Sequence, residues 1–67
     1  MNTYAVYKTK ITDYATMTEE QLRNRTPIAY IEGLKNVWKF CGGRLHRHRA
    51  GYSGIIRGYD FKVIRVK

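Results

Sequence analysis

The sequence predicts an α+β fold, a small three-stranded sheet with helices packed on one face, in the order strand, short helix, long helix, strand, strand. Both ends of the chain are rich in β-branched and aromatic residues, whereas the middle carries an apolar stripe with helical period. The 67 residues suit one small basic domain, residues 1–67. Such a domain buries only about 60% of its unfolded surface. We therefore allow for a homodimer or a bound partner that adds buried surface.

The first elements are a strand and a short helix. The stretch TYAVYKTKI, residues 3–11, has the composition and loose alternation of a strand. Thr18 and Gln21 have the spacing of a capping box, in which each side chain bonds the other residue's backbone N–H. A short helix is therefore predicted over EEQLRNR, residues 19–25.

The middle of the chain predicts a long amphipathic helix from Pro27 to Cys41. Thr26 is a favourable N-cap, and Pro27 suits the first helical position, where its missing N–H costs nothing. Gly42 supplies a C-terminal stop. At about 100° per residue, one arc of this helix is apolar, and it contains Tyr30, Ile31, Leu34, Val37, Trp38 and Cys41.

Two strands are predicted after the long helix. RLHRHRA, residues 44–50, is polar and suits an edge strand, where arginines discourage aggregation. GYSG, residues 51–54, predicts a turn. IIRGYDFKVIRV, residues 55–66, predicts a longer strand with a bulge at Gly58. This strand is the most apolar, so we expect it to be central.

The positive charge lies in the second half of the chain. The formal net charge is +8, and the four cations among residues 1–32 are balanced by four acids. From Gly33 onward nine cations face Asp60 alone. A basic excess confined to one half is typical of a domain that binds a polyanion. We therefore expect a nucleic acid or a nucleoprotein as partner.

The predicted binding surface centres on the arginine- and histidine-rich segment. Arginine binds phosphate bidentately, and Tyr52, predicted to be exposed in a turn, would stack on a base. The histidines would add charge below about pH 6.5. The sequence does not discriminate DNA from RNA. The predicted nucleic-acid-binding residues are Lys35, Lys39, Arg44, His46, Arg47, His48, Arg49, Tyr52 and Arg57.

A metal centre is not expected. Cys41, His46 and His48, with Asp60 as a fourth candidate ligand, do not have the paired spacing of structural zinc sites. The neighbouring arginines would repel a cation, and Cys41 lies on the apolar arc of the predicted helix. We predict neither a metal nor another cofactor.

Catalytic motifs are also lacking. No pair of acids has a spacing that indicates acid–base work, and Glu19 and Glu20 suit a helix N-terminus. Ser53 is not in a nucleophile elbow, and the glycines match neither a P-loop nor a dinucleotide fingerprint. The one enzymatic alternative is a ribonuclease that uses His46 or His48 for proton transfer among arginines. A non-enzymatic protein is the main prediction.

The C-terminal stretch GYSGIIRGYDFKVIRV resembles the closing strands of RelE-type toxins, which cleave messenger RNA. The resemblance covers about the last quarter of the chain. It implies the order strand, helices, strands, and an RNA surface that includes Arg57, Lys62 and Arg65. The present chain is shorter than such toxins.

A third alternative is an inhibitor or adaptor of the kind that small viral proteins provide. Its arginines would meet an acidic or nucleic-acid-binding site on a protein of the host defence or transcription machinery. Cys41 is the only cysteine, and the N-terminus has no apolar core of signal-peptide length. No apolar run is long enough for a membrane span. We therefore expect a cytoplasmic protein that does not contact membranes.

Overall fold

The computed structural model describes residues 1–67 and contains a five-stranded antiparallel sheet with one longer helix. The strands lie in the order β2-β1-β5-β4-β3. The prediction of a three-stranded sheet is therefore wrong. The strands are β1 (Thr3–Lys10), β2 (Ala29–Glu32), β3 (His46–His48), β4 (Gly51–Ile56) and β5 (Tyr59–Arg65). The helices are α1 (Glu19–Arg23) and α2 (Leu34–Cys41), and a 3₁₀ segment spans Ile11–Ala15.

The predicted long helix is wrong over its first half, which forms β2. Here the backbone of the chain pairs with β1, and Ile28 N–H donates to the Val6 carbonyl at 2.7 Å. Gly33 N–H donates to the Asn2 carbonyl at 2.8 Å. Gly33 has φ 83°, a conformation outside the helical region that glycine adopts without steric cost. This residue ends β2 and lets α2 start at Leu34.

The predicted turn at residues 51–54 and the single strand at 55–66 with a bulge at Gly58 are also wrong. Residues 51–54 begin β4, and the turn lies between β4 and β5. Its two central residues, Arg57 and Gly58, have φ values of 52° and 82°. Positive φ at both central positions is the mark of a type I′ turn, whose twist matches that of a hairpin. β5 is central, as predicted, because it lies between β1 and β4.

Helix ends follow their local capping residues. Gln21 N–H donates to Thr18 Oγ1 at 3.2 Å, and Thr18 N–H donates to Gln21 Oε1 at 2.9 Å, which confirms the predicted capping box. Gly42 has φ 86° and donates to the Trp38 carbonyl at 3.0 Å, so it ends α2 as predicted. Neither α1 nor α2 combines the length and apolar character that crossing a membrane requires.

The core lies between α2 and one face of the sheet. Val6, Val37 and Val63 are fully buried there, and Leu45 and Phe61 pack around them. Val6 and Val63 are direct neighbours on β1 and β5, so their side chains share a face. These contacts hold α2 on the sheet and place its last residue, Cys41, inside the core.

α1 lies over the opposite face, so the prediction that all helices pack on one face is wrong. Tyr7 and Lys62 are neighbours on β1 and β5 and point away from α2, because side chains alternate along a strand. Leu22 of α1 lines a cavity with both of them and with Ile64. A five-residue helix covers only part of a sheet, and the part near β3 stays open.

Candidate nucleic-acid interface

The arginine- and histidine-rich segment forms β3, an edge strand as predicted. Arg47 pairs with Tyr52, on the face that carries α2, whereas His46 and His48 pair with Ser53 and Gly51, on the other face. We call the exposed side chains of this segment the basic edge. It consists of Arg44, His46, Arg47, His48 and Arg49.

No acid of the chain neutralises the basic edge. The single ion pair joins Arg23 to Glu19 at 2.9 Å within α1. Asp60 accepts a hydrogen bond from Tyr14 Oη at 2.7 Å. Glu32 lies on β2, four strand spacings of about 4.8 Å from β3, which amounts to about 19 Å. Because this exceeds two Debye lengths of about 8 Å at physiological salt, Glu32 is screened from the edge, and no Asp or Glu forms an ion pair with any side chain of the edge.

His48 has a local structural role in this edge. Its Nδ1 accepts a hydrogen bond from the backbone N–H of Ala50 at 3.2 Å. This bond orients the imidazole and stabilises the tight turn between β3 and β4. The imidazole of His46 forms no hydrogen bond within the chain, so it is free for a ligand.

The other predicted cations lie at different distances from the basic edge. Lys35 and Lys39 are exposed on α2. Lys35 lies about 60° around the helix from Trp38, on the flank that turns toward β3. Arg57 lies in the β4–β5 turn, and the six residues of β4 separate it from Arg49 by about 20 Å. Arg57 is therefore remote from the β3–β4 end of the edge.

Tyr52 does not occupy an exposed turn, and that prediction is wrong. It lies in β4 and is partly buried. Its ring meets Trp38 at a centroid distance of 5.2 Å and Tyr4 at 6.3 Å, both edge to face. The strand pairing of Gly51–Ile56 turns this side chain toward α2, where it packs against the core.

A cleft opens between α2 and β3. It has a volume of about 590 Å³ and combines an apolar floor with a basic rim. Trp38, which the helical phase assigns to the core, packs against the core and also lines this cleft. On the predicted helix Trp38 lies inside the apolar arc, and it lies at a border of the arc only because α2 begins at Leu34. The lining residues are Leu34, Trp38, Arg44, Leu45, His46, Arg47 and Tyr52.

Arg65 also belongs to this surface, although among the sequence arguments only the RelE resemblance pointed to it. A concavity of about 340 Å³ at one end of the sheet brings Arg65 together with Arg47 and Arg49. Arg65 Nε donates to the backbone oxygen of Lys67 at 3.1 Å, and no Asp or Glu forms an ion pair with Arg65. Only the register between β4 and β5 shows that the end of β5 reaches the start of β4.

The cavity beneath α1, about 420 Å³ in volume, is a weaker candidate for a polyanion. Arg25 Nε donates to the Leu22 carbonyl at 3.2 Å, and its Nη1 donates to Thr9 Oγ1. Arg23 pairs with Glu19. Lys62 is the one cation of this cavity that is not engaged within the chain.

The structure does not assemble the metal ligands that the sequence raised. Cys41 is buried in the core, and burial raises the pKa of its thiol, an effect that the charge of Lys8 partly opposes. His46 and His48 lie exposed at the sheet edge, and Asp60 lies on β5. No three residues among the histidines, the cysteine and the acids lie close enough to hold a metal ion.

Comparison of the chain with protein families, with curated proteins and with solved structures found no match. The fold and the basic edge, whose side chains form no ion pair with an acid, therefore carry the functional argument.

Proposed function

We propose that the protein binds nucleic acid, without catalysis, through the basic edge. One observation carries the proposal: five exposed basic side chains follow one edge of the sheet, and none of them forms an ion pair with an acid of the chain. The guanidinium groups of Arg44, Arg47 and Arg49 form no ion pair within the chain and are available for phosphate groups. Arginine suits that role because its guanidinium binds phosphate through two parallel hydrogen bonds.

The dimensions of the edge favour contact along a nucleic-acid backbone. Arg44 and Arg49 are separated by five steps of nearly extended chain, about 17 Å. Arg65 extends the surface around the end of the sheet. Neither helix carries a row of cations at its N-terminal end, so sequence-specific reading of a groove by a helix is not part of the proposal.

The test is fluorescence anisotropy with single-stranded DNA, single-stranded RNA and duplex DNA, from low to physiological salt. The variant pair is R47A/R49A, with K10A/R23A as a control; each removes two charges and leaves +6 of the original +8. The logarithmic salt slope of affinity changes by about 0.7 per phosphate contact on single strands and about 0.9 on duplex. We expect R47A/R49A to flatten the slope by about 1.4 to 1.8 and the control to leave it nearly unchanged.

Other outcomes discriminate the alternatives. Equal weakening by both variant pairs would show attraction by net charge alone and would contradict the assigned surface. If wild-type binding vanishes at physiological salt, the inhibitor or adaptor alternative leads, and an acidic protein partner has to be sought. Shortening of the RNA during the assay, lost in H46A, would indicate the RelE-type ribonuclease alternative.

A further inference from the structure

We propose that the cleft between α2 and β3 is a pocket for an unpaired base, so that the protein prefers single-stranded nucleic acid to duplex. This inference rests on the proposed function. The basic edge would bind the phosphates of a strand, and the cleft would bind one of its bases. The occupant is one base of a polynucleotide strand, with the phosphates on either side held by Arg44 and Arg47.

The lining of the cleft carries the inference. Its apolar part consists of Leu34, Trp38, Leu45 and Tyr52, and Arg44 and Arg47 line the same cleft. A cleft of about 590 Å³ with both apolar and basic lining residues is within the size range of pockets that bind small molecules. The two arginines have no acidic or hydrogen-bonding partner in the chain. An anionic, aromatic ligand is complementary to both halves of this lining.

Trp38 is the stacking surface. Tyr52 meets the indole at a centroid distance of 5.2 Å with the two planes at 82°, so the pair is T-shaped and not a parallel stack. The indole remains partly exposed toward the cleft. Stacking of a base on an aromatic side chain tolerates any base, because every base has a π-face. We therefore expect weak base preference.

Duplex does not fit this pocket. The indole of Trp38 is partly buried and lines the cleft between α2 and β3, so it does not project from the protein surface. A paired base is stacked inside its helix and reaches such a site only after unpairing, which costs a few kcal/mol. A duplex is therefore limited to the basic edge, whereas a single strand contacts the edge and Trp38 together.

The test uses Trp38 as the reporter, because it is the only tryptophan of the chain. Its emission is excited at the red edge, where tyrosine does not absorb, and followed during titration with single-stranded DNA, single-stranded RNA, duplex DNA and inorganic polyphosphate. Anisotropy of labelled strands reports binding in the same samples. We expect both single strands to quench and shift the Trp38 emission, and duplex and polyphosphate to bind without doing so.

A variant series supplies the second measurement. We expect W38L to lower single-strand affinity by about 5- to 150-fold, the range for losing one stacked base, and to leave duplex affinity unchanged. F40L is the matched control, since Phe40 is an aromatic residue of α2 that is half exposed and lies outside the cleft. Circular dichroism establishes that each variant is folded; if W38L is not, the wild-type emission data decide alone.

The outcomes separate this inference from the proposed function. Single strands that bind without altering Trp38 emission, or polyphosphate that alters it equally, would overturn the base pocket and leave the phosphate-binding edge in place. Absence of binding to every polyanion at physiological salt would overturn both. Quenching by single strands alone, with affinity lost in W38L and kept in F40L, would establish the pocket.

Discussion

Trp38 and Tyr52 meet edge to face, with ring centroids 5.2 Å apart and planes at 82°. The contact joins α2 to β4, and Tyr4 on β1 meets the same tyrosine ring at 6.3 Å. These three rings connect the helix to two strands that are not neighbours in the sheet. Tyr52 is therefore a packing residue that borders the candidate base pocket.

The first prediction concerns this tyrosine. We expect Y52A to lower the free energy of unfolding by about 3 kcal/mol, because a large aromatic side chain is removed from between two others. Y52F should cost less than about 1 kcal/mol, since the hydroxyl forms no hydrogen bond within the chain. Urea unfolding measures both. An equal cost for the two variants would show that the hydroxyl, and not ring packing, stabilises the fold.

The second prediction compares two glycines that both have positive φ. A Cβ at Gly58 meets nothing within 4 Å, whereas a Cβ at Gly51 would overlap the carbonyl oxygen of Val63 on β5. G58A should cost about 1 to 2 kcal/mol from its backbone conformation alone. G51A should cost about 1 to 3 kcal/mol more, because the neighbouring strand has to move. Similar midpoints in urea for the two variants would contradict this close approach of β4 to β5.

The third prediction concerns Arg57, the one residue other than glycine with positive φ. Asn-Gly is the preferred pair for a type I′ turn, so R57N should raise the free energy of unfolding by about 1 kcal/mol. R57K is the control, since lysine keeps both the charge and the unfavourable conformation and should leave stability unchanged. Thermal unfolding of the three proteins tests this. Destabilisation by R57N would show that the arginine side chain makes contacts that outweigh its strain.

The fourth prediction concerns pH. Burial raises the pKa of the Cys41 thiol above its ordinary value of 9.0, so the folded state holds the proton more tightly than the unfolded state does. Its contribution to stability is complete below pH 9.0 and is lost as the pH rises through the higher pKa of the folded state. Between pH 9.0 and the pKa of the folded state, the free energy of unfolding should therefore fall more steeply in the wild type than in C41A.

The measurement is urea unfolding at a series of alkaline pH values, with the difference between wild type and C41A as the readout. The six tyrosines are present in both proteins, so their contribution cancels in that difference. A parallel fall in the two proteins would contradict a raised pKa. As a second check, thiol-reactive reagents should modify Cys41 slowly in the folded protein and rapidly in urea.

Local features of the chain were predictable because their partners lie within a few residues. The capping box of Thr18 and Gln21 closes over three residues, and Gly42 ends α2 by bonding the carbonyl of Trp38. The β3 edge strand was recognisable because histidines and arginines alternate along it, so that neither face of the strand carries an apolar side chain. Each of these assignments depends on the chemistry of one short segment.

The segment from Pro27 to Glu32 shows where such reasoning failed. Tyr30 and Ile31 fall on the apolar arc of a helix that would continue to Cys41, so periodicity favoured one long helix. The same residues have strand propensity, and β1 offers them a row of backbone partners. Pairing with a strand more than twenty residues away decided the outcome.

The candidate site divides in the same way. The basic segment, with Asp60 as the one acid after Glu32, was evident from the residues alone, because charge does not depend on folding. The positions of Glu32 at the far edge of the sheet, of Arg65 beside Arg47 and of Trp38 at a cleft follow only from the three-dimensional fold. Those relations depend on strand order and register, which are set by the burial of Val6, Val37 and Val63 between the sheet and α2.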